Sequence, residues 1–154
     1  MKKSVKRTNI FNCKLLKKFI NHLMKKGKRQ KIEKIVYKVF MAIQHTYQLS
    51  GLLFFYDGIR LLLPAFLLVP YKMGAATIFI PNILLCSKKP GMALHAFVAS
   101  VNLAKNTNSN QKIETIILET LLYLVLEKQN TSLVKKYQTL EIAFTNRKFV
   151  HYRW

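Results

Sequence analysis

Apolar residues recur every three or four positions through a stretch that is otherwise mostly lysine: Leu15, Leu16, Phe19, Ile20, Leu23 and Met24. A stripe of that period puts six apolar side chains along one side of a helix and the charges on the other. Such a helix is stable only when its stripe is covered, so the chain must supply further apolar elements to pack on it. A second stripe follows at Ile32, Ile35, Val36, Val39, Phe40, Ile43 and Tyr47. The short stretch Gly27-Lys28-Arg29-Gln30 between them predicts a helical hairpin with a basic elbow. Asn12 is expected to cap the first helix and Gly27 to serve as its C′ residue.

The pattern then predicts a third helix over about 52–63, ended by Pro64, which restricts its predecessor and lacks an N–H donor. Apolar and β-branched runs at 65–69 and 75–80 flank Pro70-Tyr71-Lys72-Met73-Gly74. They predict a β-hairpin, the centre of an arm over 64–87. Lys88-Lys89-Pro90-Gly91 opens a fourth helix over about 92–104, and the polar run 106–110 reads as a loop. A richly apolar fifth helix is expected over 112–127. Thr131 or Ser132 is expected to cap a sixth, starting near Leu133, with Tyr137, Leu140, Ala143 and Phe144 on one face. The fold class is therefore mainly α: a single domain over 1–154 of about six helices with one protruding β-hairpin. A basic arm (1–13) precedes it and a C-terminal helix and tail (131–154) close it.

Charge narrows the function. The 154 residues carry 26 Lys and Arg against 6 Asp and Glu, a net +20, and 14 of the basic residues lie in the first 38. A folded chain with that surplus repels itself unless a polyanion neutralises it. Because 51% of the residues are hydrophobic, a disordered polybasic tail is excluded. Nucleic acid and anionic membrane are the two partner classes left. A membrane span is not expected: the apolar run 52–69 holds Asp57, Arg60 and Pro64, the run 113–126 is short, and neither reaches the ~20 residues a span needs. Nor does the basic N-terminus contain the apolar segment of a secretory signal. The membrane alternative is thus a peripheral protein whose basic amphipathic helices lie on anionic lipid.

Catalytic chemistry has no foothold. Glu114 and Glu119 are about 140° apart around a helix of 3.6 residues per turn, so they share no face. Asp57 is the sole aspartate, and the glycines at 27, 51, 58, 74 and 91 form no phosphate-cradling loop. His22, His45, His95 and His151 lack metal-ligand spacing, and His22, between core-facing positions, reads as structural. Cys13 and Cys86 read as reduced thiols. No catalytic residue, metal or cofactor is expected.

Four local features go further. Gly27-Lys28-Arg29 is followed after five residues by Ile35-Val36-Tyr37. Pro64, Lys72, Gly74 and Pro81 frame the hairpin, and Lys88-Lys89 directly precedes an apolar helix. Val134-Lys135-Lys136 leads to Asn146-Arg147, Phe149 and the closing string His151-Tyr152-Arg153-Trp154. In this order the set resembles the bacterial-type ribosomal protein seven family of the small subunit, over 15–40 and 64–154. The resemblance implies a structural protein that binds the 3′ major domain of small-subunit rRNA and organises assembly of the head. It further implies a place beside the tRNA exit site and the mRNA exit path, with exit-site tRNA, mRNA and ribosomal protein eleven of the same subunit as neighbours.

On that resemblance, Lys2, Lys3, Lys6 and Arg7 would track phosphates as an arm. Lys25, Lys26, Lys28, Arg29 and Lys31 would set the elbow against an rRNA junction. Lys72, Lys88 and Lys89 would serve at the hairpin, and Lys135, Lys136, Arg147 and Lys148 along the last helix. His151, Tyr152, Arg153 and Trp154 would stack and contact phosphate. The chain departs from the family at the arm, where Val69, Pro70 and Tyr71 leave Lys72 nearly alone and 61–68 is unusually apolar. Such an arm is expected to dock on protein. Residues favoured by AT-rich codons (Phe, Tyr, Met, Ile, Asn, Lys) number 66, against 23 for Gly, Ala, Arg and Pro. Together these features point to a mitochondrial, organelle-encoded member, with plastid or bacterial cytoplasm as the alternatives.

Overall fold

The computed structural model describes residues 13–152. Lys2, Lys3, Lys6, Arg7, the expected Asn12 cap, Arg153 and Trp154 lie outside the described residues. The two stripes become α1 (Lys14–Leu23) and α2 (Arg29–Tyr47). They meet at a reverse turn closed by the Lys28 N–H donating to the Lys25 carbonyl at 3.3 Å. Gly27 does not terminate α1, which ends a turn earlier. It sits in the elbow with φ +70°, next to Lys26 at +53°, so glycine there spares one of two consecutive left-handed residues a Cβ penalty.

Leu16, Phe19 and Ile20 of α1 are buried where it packs on α4 (Lys89–Thr107) and α2. The stripe is used up by the core, which leaves α1 no apolar face to lay on lipid. Among the described residues no helix is long and apolar enough to cross a membrane. Phe55 of α3 (Gly51–Leu62) stands at the centre. Its ring centroid lies 4.9 Å from Phe19, 6.1 Å from Phe40 and 6.4 Å from Phe97 of α4. Four helices thus meet on one aromatic cluster, and each fully buried ring contributes about 1.5–3 kcal/mol. α5 (Ile113–Val125) packs on α2, α3 and α4 through Ile116, Ile117, Leu121 and Leu124.

Boundaries differ from expectation where a breaker residue is tolerated. α4 begins at Lys89 rather than near Met92, because Pro90 in a first helical turn forfeits no hydrogen bond. α6 (Thr131–Thr145) is capped by Asn130, not by Thr131 or Ser132: its side-chain oxygen accepts from the Ser132 N–H at 3.0 Å. The strands are longer than expected, β1 (Phe66–Met73) and β2 (Ala76–Ile83), joined by Gly74-Ala75. They pair antiparallel from Phe66 opposite Ile83 to Met73 opposite Ala76. Pro70 and Pro81 fall inside them, which a two-stranded ribbon permits because both strands are edges.

The ribbon is held midway along β2 to the end of α6, where the Asn146 side-chain amide donates to the Phe79 carbonyl at 2.9 Å. Only Ile80 and Pro81 of the two strands are buried. Phe66, Leu67, Val69, Tyr71, Met73, Phe79 and Ile83 remain exposed, so the arm is apolar and uncovered.

Candidate nucleic-acid interface

The elbow places lysines where a local reading puts them and adds one it could not. Lys25, Lys28 and Lys31 converge with Lys105, from the far end of α4, around a cleft of about 170 Å³. Its floor is apolar: Leu23, Ile32, Ile35, Val101, Ile113 and Ile117. None of the four lysines has an ion-pair partner among the described residues, where Arg29–Glu33 (2.8 Å) and Lys38–Glu114 (2.7 Å) are the pairs present. Four uncompensated charges on one rim raise a focused positive potential over a low-dielectric floor. Lys26 is exposed at the tip of the same turn.

Helix starts carry the wrong charge for their own stability. A helix N-terminus favours acids, yet α1, α2, α3, α4 and α6 have none in the first turn. Instead Lys14 opens α1, Arg29 and Lys31 open α2, and Lys88-Lys89 stand at the start of α4. Each such cation forgoes a few tenths of a kcal/mol, up to about 1, of dipole stabilisation. The same arrangement suits an external anion, because free N–H groups and ammonium groups lie at the same helix end.

The remaining expected residues separate by what holds them. Lys72 is exposed beside the arm's turn, opposite Thr77, and Lys135 is exposed on α6. Lys136 points inward instead: its ammonium donates to the Leu61 carbonyl at the end of α3 (2.7 Å), and burial pushes its pKa down. Arg147 lies 5.1 Å from the Phe144 ring centroid and Lys148 lies 5.2 Å from that of Phe149. Tyr152 stacks on Tyr71 of the arm, centroids 6.4 Å apart and planes within 16°, and the His151 ring centroid lies 4.5 Å from its own. The tail therefore folds back onto the hairpin, and Tyr152 already uses one face.

Arg60 and Lys128 are exposed cations that sequence reasoning passed over, like Lys105. His22 is exposed and meets His95 of α4 edge-on at 6.2 Å. Cys13, half-buried, is bonded to the Tyr56 hydroxyl. Burial works to raise its thiol pKa, but that bond and the backbone amides of Leu16 and Leu15 outweigh it and hold the pKa below the ordinary value.

A helical domain with an unpaired cationic elbow, basic helix starts and an uncovered apolar arm is a scaffold for a polyanion and its neighbours. Residues 1–147 match the family Ribosomal protein S7p/S5e, and the chain belongs to that family. It is 28% identical to the Small ribosomal subunit protein uS7 of Ruegeria pomeroyi over 144 residues, 94% of this chain and 89% of the relative. The uS7 proteins of Dehalococcoides mccartyi and Campylobacter hominis are 26% identical over 153 residues and 29% over 149. These alignments cover 99% and 94% of this chain, and 95% and 90% of the relatives. The chain is accordingly a structural component of the small ribosomal subunit, with a part in translation, and not an enzyme.

Proposed function

We propose that the chain binds the 3′ major domain of small-subunit rRNA and organises assembly of the subunit head, beside the tRNA exit site and the mRNA exit path. The observation that carries this reading is the elbow: Lys25, Lys28, Lys31 and Lys105, from three segments of the chain, line one cleft without acidic partners among the described residues. Phosphates of a folded RNA junction fit its rim, and such contacts fix position rather than read bases. The exposed apolar strands, with Phe144 70% exposed at the base of the arm, support a protein neighbour on that side. In the family pattern this neighbour is ribosomal protein eleven. The AT-rich composition and the apolar arm support a mitochondrial small subunit as the location.

Binding of the full chain to a transcript of the 3′ major domain, compared with a 5′-domain transcript at equal salt, tests the reading. Preference for the 3′ domain is the expected result, and equal affinity would refute it. Sedimentation of an organelle lysate with and without ribonuclease tests the location. Comigration with mitochondrial small-subunit rRNA, lost after digestion, is expected there.

A further inference from the structure

A second cleft, of about 560 Å³, opens between the last turn of α3, the loop after α5 and the first half of α6, away from the elbow. Its volume falls in the ~300–1,000 Å³ range of small-ligand sites. Asp57, Arg60 and Leu61 of α3, Lys128 of the loop after α5, and Lys136 and Tyr137 of α6 line it. Helix-end electrostatics accounts for part of this set. Lys136 is fully explained by its bond to the Leu61 carbonyl. Arg60, in the last turn of α3, and Lys128, just past α5, also sit where cations suit a helix end. Yet neither side chain has a hydrogen bond or ion pair among the described residues, although Asp57 lines the same cleft. Tyr137 is 62% exposed, a large ring left in water beside two idle cations.

We propose that this cleft holds one unstacked ribonucleotide of an RNA strand. Arg60 and Lys128 take its phosphate, Tyr137 stacks its base, and Asp57 accepts a hydrogen bond from its ribose 2′-hydroxyl. Each part answers a chemical need. A guanidinium and an ammonium lining one cleft supply donors to two phosphate oxygens. An exposed phenol ring offers a stacking face that tolerates any base. A carboxylate repels a bare phosphate but welcomes a sugar hydroxyl, and the 2′-hydroxyl is what separates RNA from DNA. The half-buried ammonium of Lys136, tied to the end of α3, adds a third cation to the same cleft.

This inference rests on the RNA-binding reading above, and its test keeps the two apart. The full chain is bound to the 3′-domain transcript and irradiated with ultraviolet light. Peptide–nucleotide adducts are then mapped by mass spectrometry. An adduct at Tyr137 is expected. Tyr137→Ala should weaken binding about tenfold while Tyr137→Phe keeps it. The pair Arg60→Gln and Lys128→Gln, which share one phosphate, should flatten the salt dependence by about 0.7 in log–log slope. Deoxyribose at the crosslinked nucleotide should weaken binding for the native chain but not for Asp57→Ala, which has no acceptor left for the 2′-hydroxyl. Full affinity in all the cleft variants, with binding still lost on changing the elbow lysines, overturns the cleft and spares the RNA reading. No affinity of the unaltered chain for the transcript overturns both. Thermal melts of each variant exclude unfolding as the cause, since all four side chains are exposed.

Discussion

Replacing Lys25, Lys28, Lys31 and Lys105 together with glutamine should change the salt dependence of RNA binding more than the fold. Among the described residues the four have no ion pair to lose, and each is exposed or half-buried. Stability should therefore shift by less than about 0.5 kcal/mol per site. Each lysine on a phosphate releases counterions worth about 0.7–0.9 in the slope of log affinity against log salt, so four account for about 3. Raising salt from about 50 to about 200 mM spans about 0.6 log units. The native chain should then lose about a hundredfold more affinity over that interval than the variant. Filter binding to a small-subunit rRNA transcript at several salt concentrations measures both slopes. Arg29→Gln serves as the contrast, because its guanidinium already holds Glu33 at 2.8 Å; it should flatten the line less than a rim lysine does. Parallel lines for the native chain and the quadruple variant would refute the assignment of these lysines to phosphates.

Three further predictions concern what holds the interface in place. In Gly51→Ala the new Cβ would lie 2.7 Å from the Phe40 Cα. The clash of α3 with α2 should outweigh the helix-propensity gain of up to ~1 kcal/mol and leave a net loss of about 1–3 kcal/mol; a urea melt at or above native stability would contradict this. Asn130→Ala removes the α6 cap and the amide donated to the Thr120 carbonyl at 3.3 Å, and should cost about 1–2 kcal/mol, with Asn130→Asp falling in between. Tyr56→Phe removes the hydroxyl bonded to Cys13, so the thiol pKa should rise and alkylation by iodoacetamide at neutral pH should slow. The exposed Cys86 is the internal control, and an unchanged ratio of the two rates would count against the bond.

Where the chain solves its problem locally, the solution is visible in the order of residues. The stripes of α1 and α2 are clean because each helix buries one side only, and the elbow between them keeps its lysines together by adjacency. α4 is different. It packs on α1, α3, α5 and α6 at once, so apolar residues ring it and its period no longer marks its ends. For α6 the expected apolar face is only partly covered. Ala143 is buried, while Tyr137 and Phe144 stand 62% and 70% exposed, because the neighbouring elements cover the helix at its start and at the hairpin base. A residue's place on a helix face is local information; whether anything covers that face is not.

The same distinction governs the site. Lys105 follows Val101 by one helical turn, and Val101 is buried, so the packing that seats Val101 against the elbow carries Lys105 to its rim. No spacing between residues 28 and 105 encodes that meeting; it is a property of how α4 crosses the α1–α2 hairpin. Lys136 runs the other way. Its neighbour Lys135 is exposed and free of ion pairs among the described residues, whereas Lys136, one step around the helix, is turned onto the carbonyl that α3 leaves open at its end. Two adjacent lysines of identical chemistry thus do different work, one facing outward and one closing a helix. In so basic a chain a charge count measures how strongly a polyanion is needed. Which charges meet it is decided by the helix ends that need some of them first.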